Sequence, residues 1–370
     1  MEQGRAVSIG RGCLFDRFAL VMGWQKGPVF CMRLVLAKIF LLLTFPLMSF
    51  SSTAGNVNYS DREDVKLFVQ QMVENDSFIT AELLTVFRQA TYKQSIIDAI
   101  SRPAEKVLTW SEYQDIFLTD RRVREGYKFM LENARALSEA YKKYGVPPVI
   151  VTAIIGVETM YGKRRGNYRV LDALTTLAFD YPPRAEFFQR ELREFLLLVR
   201  EEDQSIFELQ GSYAGAMGYG QFIPSSYRRY SVDFNGDGTR DIWNNKMDAI
   251  GSVANYFSEH GWRPGEPVVA RATVEVSDDR LDAVFNVSLK PSTTTGAMRK
   301  IGVVTELEIG ESMKVSPMKL AGKDGDEYWL GFHNFYVITR YNHSKLYAMA
   351  IFQLSEALRT SDGIVSYRVH

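Results

Sequence analysis

The stretch Val146-Pro-Pro-Val-Ile-Val-Thr-Ala-Ile-Ile-Gly-Val-Glu158-Thr-Met-Tyr-Gly162 carries a single charge, and Glu158 is the only charged residue between Lys143 and Lys163. Pro147 and Pro148 suit the first turn of a helix, so the segment is predicted to be helical from there to about Gly162. A carboxylate in such surroundings loses hydration, which disfavours its ionised form and raises its pKa. Its place near the negative end of the helix dipole acts in the same direction. The result is a proton donor able to work near neutral pH, which is the chemistry of glycosidic bond cleavage. The alternative reading of the same residue is a structural glutamate bonded to a backbone group or to a tyrosine.

On the N-terminal side, Ser60-Asp-Arg-Glu63 reads as a capping box before Val65, Leu67, Phe68, Val69 and Met72, which recur at helical spacing. Further helix starts fall at Thr80 and near Ala134, and Gly145 is a C-terminal cap. On the other side, Arg184 to Glu201 is a long amphipathic helix. It is followed by Gly211-Ser-Tyr-Ala-Gly-Ala-Met-Gly-Tyr-Gly-Gln-Phe-Ile-Pro224, whose glycines predict a loop that approaches something closely. Asp248 to His260 is helical and stops at Gly261. From Glu266 the pattern becomes β-branched and alternating, with strands predicted at 268–276, 283–289 and 328–340 before helical spacing returns over 344–358. Asn342 then falls in a strand-to-helix turn. No internal repeat is present, which excludes a solenoid.

The chain has 370 residues, enough for two or three compact units. Basic Met32–Lys38, apolar Ile39–Phe50 and small Ser52-Thr53-Ala54 read together as a secretory signal peptide, with an uncleaved anchor as the alternative and Met32 as an alternative start. Both cysteines, Cys13 and Cys31, precede the cleavage site, so the exported chain has neither a disulfide nor a lipid-attachment cysteine. Without the first 54 residues the formal charge is about four units negative, with no basic run, which argues against nucleic-acid binding.

Asp233-Phe-Asn235-Gly-Asp237-Gly-Thr239-Arg-Asp241 places oxygen donors at positions one, three, five and nine of a calcium loop, with glycine at six. Thr239 would offer its carbonyl at seven. Asn244 stands at position twelve, where a bidentate glutamate is usual, and Asp248 is the acid available to close a longer loop. A run of Asx turns is the alternative. The four histidines show no metal spacing.

Three segments, Ile154 to Gly162, Ser212 to Tyr227 and Asp248 to Phe257, closely resemble the lytic murein transglycosylase B family, and Tyr341-Asn342 with Tyr347 fits its C-terminal motif. The resemblance covers essentially the whole mature chain, in order. It implies a mainly α (α+β) protein with a lysozyme-like helical core, an accessory helical domain and a small β domain. The implied division is an upstream extension and signal peptide over 1–54 and an accessory helical domain over 55–135, which could exchange segments with the core. The catalytic core spans 136–264 with a calcium loop at 233–248, the β domain 265–335, and the C-terminal part of the core 336–370.

In such an enzyme Glu158 is the sole acid and base. It cleaves the bond between N-acetylmuramic acid and N-acetylglucosamine in peptidoglycan, and the muramyl 6-hydroxyl then attacks C1 to leave a 1,6-anhydro end. A single acid is consistent with the residues themselves, because Asp172, Asp180 and Glu186 lie among polar neighbours, and ordinary glycosidases need two carboxylates. The resemblance further implies substrate contacts at Ser212, Gln221, Tyr113, Tyr256, Tyr341, Asn342 and Tyr347, with Arg184 holding the muramyl peptide. Calcium ligands are implied at Asp233, Asn235, Asp237, Thr239 and Asp248, with Asp241 a further donor; the stretch from Asp241 to Asp248 is one residue longer than the family pattern. The implied protein is a periplasmic monomer whose partners are glycan strands and cell-wall synthesis proteins. A lysozyme-type hydrolase and a non-catalytic wall-binding protein are the competing functions.

Overall fold

The computed structural model describes residues 58–101, 108–275 and 279–360, so the predicted signal segment and both cysteines lie outside the described residues. Helices dominate. In chain order they begin with α1 (Glu63–Asp76), α2 (Thr80–Gln89), α3 (Gln94–Ser101), α4 (Trp110–Phe117), α5 (Asp120–Glu132), α6 (Ala134–Tyr144) and α7 (Pro148–Thr159). A two-stranded ribbon pairs β1 (Tyr168–Arg169) with β2 (Gln210–Gly211), and α8 (Val170–Asp180) and α9 (Ala185–Glu201) lie between them in sequence. Then come α10 (Pro224–Tyr230) and α11 (Lys246–Glu259).

The first helix starts later than its predicted capping box. Asn58, not Ser60, supplies the side-chain acceptor, taking the Ser60 N–H at 3.1 Å, and residues 59–61 form a 3₁₀ turn before α1 begins at Glu63. Arg62 at the boundary is drawn away to Asp64 and, at 2.6 Å, to Asp180. A working capping box occurs instead at Thr109 and Glu112 before α4. Gly145 ends α6 in the left-handed conformation, at φ 71°.

α7 is apolar on every side, and a helix of that kind has to be buried. Apart from Pro148 and Glu158, every residue of it is buried. Each fully buried Val or Ile side chain contributes roughly 1.5–3 kcal/mol, so this helix anchors the core. Its principal neighbour is the last helix, α14 (Lys345–Thr360), with α5, α6 and α11 around it.

A five-stranded antiparallel sheet in the order β4-β6-β7-β3-β5 is built from β3 (Val269–Val274), β4 (Thr293–Thr294), β5 (Val303–Val304), β6 (Lys314–Gly322) and β7 (Gly325–Gly331). Its two faces divide by the alternation of strand side chains. Val269, Met318 and Leu320 join the main helical core, whereas Ala270, Ala272, Val315 and Leu330 join a second cluster with Leu281, Phe285 and Met298. That cluster is completed by the short α12 (Thr295–Lys300).

Two predicted strands are not formed as such. Residues 279–283 are a 3₁₀ turn, and Asn286 adopts a positive φ of 60°. The Asn286 side chain donates to the Lys319 carbonyl at 2.9 Å, so 283–289 docks beside β6 without extending a ladder. Leu281 and Phe285, four apart, bury together on this segment. The predicted strand at 328–340 ends at Gly331 and continues as α13 (His333–Tyr341), because Phe335 and Ile338 are buried at helical spacing. Asn342 therefore lies in a helix-to-helix turn. Strand β6 is an addition to the predicted strands, joined to β7 through Lys323-Asp324, which lack the Asn-Gly or Asp-Gly pair that marks such turns in sequence.

Candidate active site

Glu158 occupies the last turn of α7 and retains partial exposure between buried Val157 and Thr159. Directly after it the chain reverses through left-handed residues, Met160 at φ 50°, Tyr161 at φ 60° and Gly162 at φ 85°. Two consecutive non-glycine residues in that region are strained. The reversal turns Tyr161 back under α7, where its hydroxyl donates to the Arg122 carbonyl at 2.8 Å. Gly156 makes this possible, since a Cβ there would lie 2.6 Å from the Tyr161 ring.

Because α14 packs on α7, Tyr347 meets the acid and donates its hydroxyl to Glu158 Oε1 at 2.6 Å. Burial pushes the Glu158 carboxyl up to about 7, and the Tyr347 bond opposes that rise. Tyr347, Tyr341 and Tyr113 have phenols driven upward first by burial and then by the charge of Glu158, which places all three around one carboxyl. A tyrosine bond was the mark of the structural alternative, yet one neutral O–H donor leaves the carboxyl near neutrality and so keeps it a usable acid.

The glycine-rich loop folds over this end of α7. Ser212 is buried, and its Oγ accepts the Ala216 N–H at 3.1 Å and the Ala214 N–H at 3.3 Å, which fixes the tight turn. Tyr341 donates to the Gly220 carbonyl, and a Cβ at Gly220 would lie 2.8 Å from that hydroxyl, so glycine is required there. Gln221 stands at φ 51°, with its amide donating to Gly218 O at 3.1 Å and Arg165 O at 3.2 Å. Tyr256 stacks on His260 at 4.0 Å and donates to the Arg340 carbonyl at 2.7 Å, an internal use of its hydroxyl. Asn342 is buried at the turn between α13 and α14.

Arg184 lies over Phe187, 4.4 Å from the ring centroid, and its pKa is lowered by burial and partly restored by Tyr181 and Tyr213. It therefore borders the Tyr213 and Ser212 end of the loop, whereas Tyr113, Tyr341 and Tyr347 surround Glu158. Two contributors were missed from sequence. Arg122, buried on α5, donates to the carbonyls of Ile116 at 2.6 Å and Gly156 at 3.2 Å and so ties α4, which carries Tyr113, to α7. Thr159 is the other, and its position directly after the acid was the available signal.

The nearby acids are committed elsewhere or exposed. Asp172 pairs with Arg169 at 2.5 Å and accepts the Thr91 N–H at 2.8 Å; Asp180 accepts from Tyr59 and Arg62; Glu186 is exposed.

In the aspartate loop, carboxylate oxygens of Asp233, Asp237 and Asp248 lie within 4.8 Å of one another. Asp248, the first acid of α11, is fully buried; its Oδ1 accepts Phe234 N at 2.8 Å and its Oδ2 accepts Asp241 N at 3.0 Å. Burial raises the Asp248 pKa, and the charge of Asp233 adds to the rise. Asn235 donates to Asp237 at 2.6 Å, and Thr239 donates both its N–H and its hydroxyl to Asp237 Oδ1. Asp241 lies outside the acidic group and caps the next turn by accepting from Trp243 and Asn244. Three like charges gathered at this range repel one another, and an all-oxygen donor set suits a hard divalent cation. The residues therefore fit calcium.

A family model described as the transglycosylase SLT domain matches residues 60–356. Membrane-bound lytic murein transglycosylase B from Escherichia coli (strain K12) is 40% identical over 310 residues, covering 81% of this chain and 84% of that protein. Among solved structures, soluble lytic transglycosylase SltB1 from Pseudomonas aeruginosa is 50% identical with a TM-score of 0.77, covering 80% of this chain and 98% of that one. The Escherichia coli lytic transglycosylase Slt35 in complex with calcium is 39% identical with a TM-score of 0.72, covering 83% and 94%. Pseudomonas aeruginosa SltB3 in complex with NAG-NAM-pentapeptide is 32% identical with a TM-score of 0.72, covering 80% and 79%.

Proposed function

This chain belongs to the transglycosylase SLT domain family, and from that premise we propose that it is a lytic transglycosylase cleaving the β-1,4 bond between N-acetylmuramic acid and N-acetylglucosamine in peptidoglycan. The observation that carries the reading is the solitary Glu158 carboxyl, held near neutrality among tyrosines. In the first step protonated Glu158 gives its proton to the glycosidic oxygen, the C1–O bond breaks, and positive charge develops at C1. Tyr347 holds Oε1, which leaves Oε2 for the transferable proton. In the second step the Glu158 carboxylate takes the proton from the muramyl 6-hydroxyl, O6 bonds to C1, and the 1,6-anhydro ring closes. The proton is thereby returned to Glu158, and no water is consumed. A base activating water would ordinarily be a second carboxylate, and Asp172, Asp180 and Glu186 are occupied or exposed.

Ser212, Gln221, Tyr113, Tyr256, Tyr341, Asn342 and Tyr347 form the proposed glycan site, with Arg184 at the end that receives the muramyl peptide. Asp233, Asn235, Asp237, Asp248 and the Thr239 carbonyl would hold calcium, which supplies charge compensation to the loop and takes no part in the proton transfers. The same reading makes the protein a periplasmic monomer, exported by the segment ending near Ala54 and working beside cell-wall synthesis proteins. Among the described residues, no helix is long and apolar enough to cross a membrane.

Digestion of purified peptidoglycan followed by mass spectrometry tests the reaction. Anhydromuramyl ends are expected. Reducing muramyl ends would instead make the protein a lysozyme-type hydrolase, and an inert protein that still sediments with the wall would make it a binding module.

A further inference from the structure

Thr159 follows the acid directly and is completely buried. Its hydroxyl accepts the Gly162 N–H at 3.0 Å and shares its one proton between two carbonyls, Tyr219 O at 2.9 Å and, one helical turn back, Ile155 O at 3.1 Å. One oxygen thus joins two segments that meet nowhere near each other in sequence: the left-handed reversal after Glu158, and the glycine-rich loop one residue before Gly220 and two before Gln221. The two segments also touch through Gly162, where a Cβ would lie 2.1 Å from the Tyr219 ring. From the far side Tyr341 holds Gly220, and the Gln221 amide holds Arg165, three residues beyond Gly162.

We propose that Thr159 is a positioning residue for the transglycosylase reaction, its hydroxyl setting the distance between the Glu158 carboxyl and the Tyr219–Gln221 segment, which carries the proposed glycan contact Gln221. Two independent features support this. The strained Met160 and Tyr161 conformations have no glycine to relieve them, so the reversal depends on bonds such as the one from Gly162 to Thr159. Moreover, Thr159 touches the loop through its backbone, which means the loop's side chains can vary while its register on α7 does not. A misplacement of about 1 Å in such a pair of segments is enough for a rate loss of about 10²-fold.

The inference rests on the proposed reaction, and the experiment separates the two. Thr159→Val keeps the side-chain shape without the hydroxyl, Thr159→Ala opens room for a bridging water, and Thr159→Ser retains the donor and acceptor. Steady-state release of anhydromuramyl fragments at 25 °C, circular dichroism and the pH–rate profile are compared with the parent protein.

The expected result is a folded Thr159→Val with kcat lowered about 10- to 100-fold, Thr159→Ala between it and the parent, and Thr159→Ser within about threefold. The alkaline limb of the profile should stay in place, because the Tyr347 bond to Glu158 is untouched. Three outcomes overturn the proposal. They are a Thr159→Val rate within twofold of the parent, a Thr159→Ser no better than Thr159→Val, and unfolding of both Val and Ala variants while Ser is active, which would make the hydroxyl a determinant of folding. A parent protein that releases no anhydro fragments would reject the reaction, and the positioning role with it, whereas loss of rate in Thr159→Val alone with an active parent would leave the reaction standing.

Discussion

Glu158 lies in the last turn of the apolar helix α7 and Asp248 is buried in the first turn of α11, and burial drives both pKa values upward. They differ in what faces them. Glu158 is surrounded by phenols and takes a hydrogen bond from one of them, Tyr347, so the protein relieves the cost of burial by letting it keep a proton. Asp248 meets backbone N–H groups of Phe234, Asn235 and Asp241 and two further aspartates, Asp233 and Asp237. Its neighbourhood is built for an anion, and the accumulated negative charge calls for a cation. Two carboxyls shifted in the same direction thus have opposite uses, and the hydrogen-bonding partners decide between them.

The largest expected effect breaks this comparison at its acid end. Glu158→Gln removes the only proton carrier, and release of anhydro fragments should fall by about 10³-fold or more, as read from initial rates on purified peptidoglycan. The same change should stabilise the fold. With its pKa raised from 4.5 to about 7, Glu158 binds more protons in the folded than in the unfolded protein between those values. Stability therefore falls as pH rises through that window, by about 3 kcal/mol in all. Urea melts of the two proteins should agree near pH 4.5 and diverge fully above pH 7, with the glutamine variant the more stable.

At the other end, saturating calcium should raise stability by about 2.7 kcal/mol at a hundredfold excess over Kd, seen as a higher Tm that chelation reverses. Asp248→Asn should remove that gain, whereas Asp241→Asn should keep most of it, because Asp241 stands outside the acidic group. Equal melting temperatures with calcium and chelator would undo the contrast between the two acids. The smallest effect sharpens it. Tyr347→Phe removes the one group that holds the Glu158 pKa down, so the alkaline limb of the rate profile, expected near pH 7, should move upward by about one pH unit.

Much of this contrast was legible in the linear chain, because local signals carried it. Glu158 stood out by charge isolation, Gly145 by its cap position, and the aspartate loop by donor spacing. What escaped was whatever depends on distant partners. Nothing local to Glu158 announces Tyr347, 189 positions away. Segment 283–289 has the composition of a strand, but Asn286 in the left-handed region gives it to side-chain docking instead. Residues 333–341 alternate well enough to pass for a strand continuing β7, but they bury Asn334, Phe335, Val337, Ile338 and Thr339 at helical spacing instead. At Ser60 the cap position fell to Asn58 and Glu63 paired with Lys66, whereas the same signature at Thr109 and Glu112 closed as a capping box.

The packing of α14 on α7 also fixes when the cutting site comes into being. A ribosome that has released Glu158 has still to make nearly two hundred residues before the phenol that tunes it exists, and contacts of such long range form late, after the chain between them has closed. A nascent or truncated chain ending before Tyr347 would carry the acid without its setting.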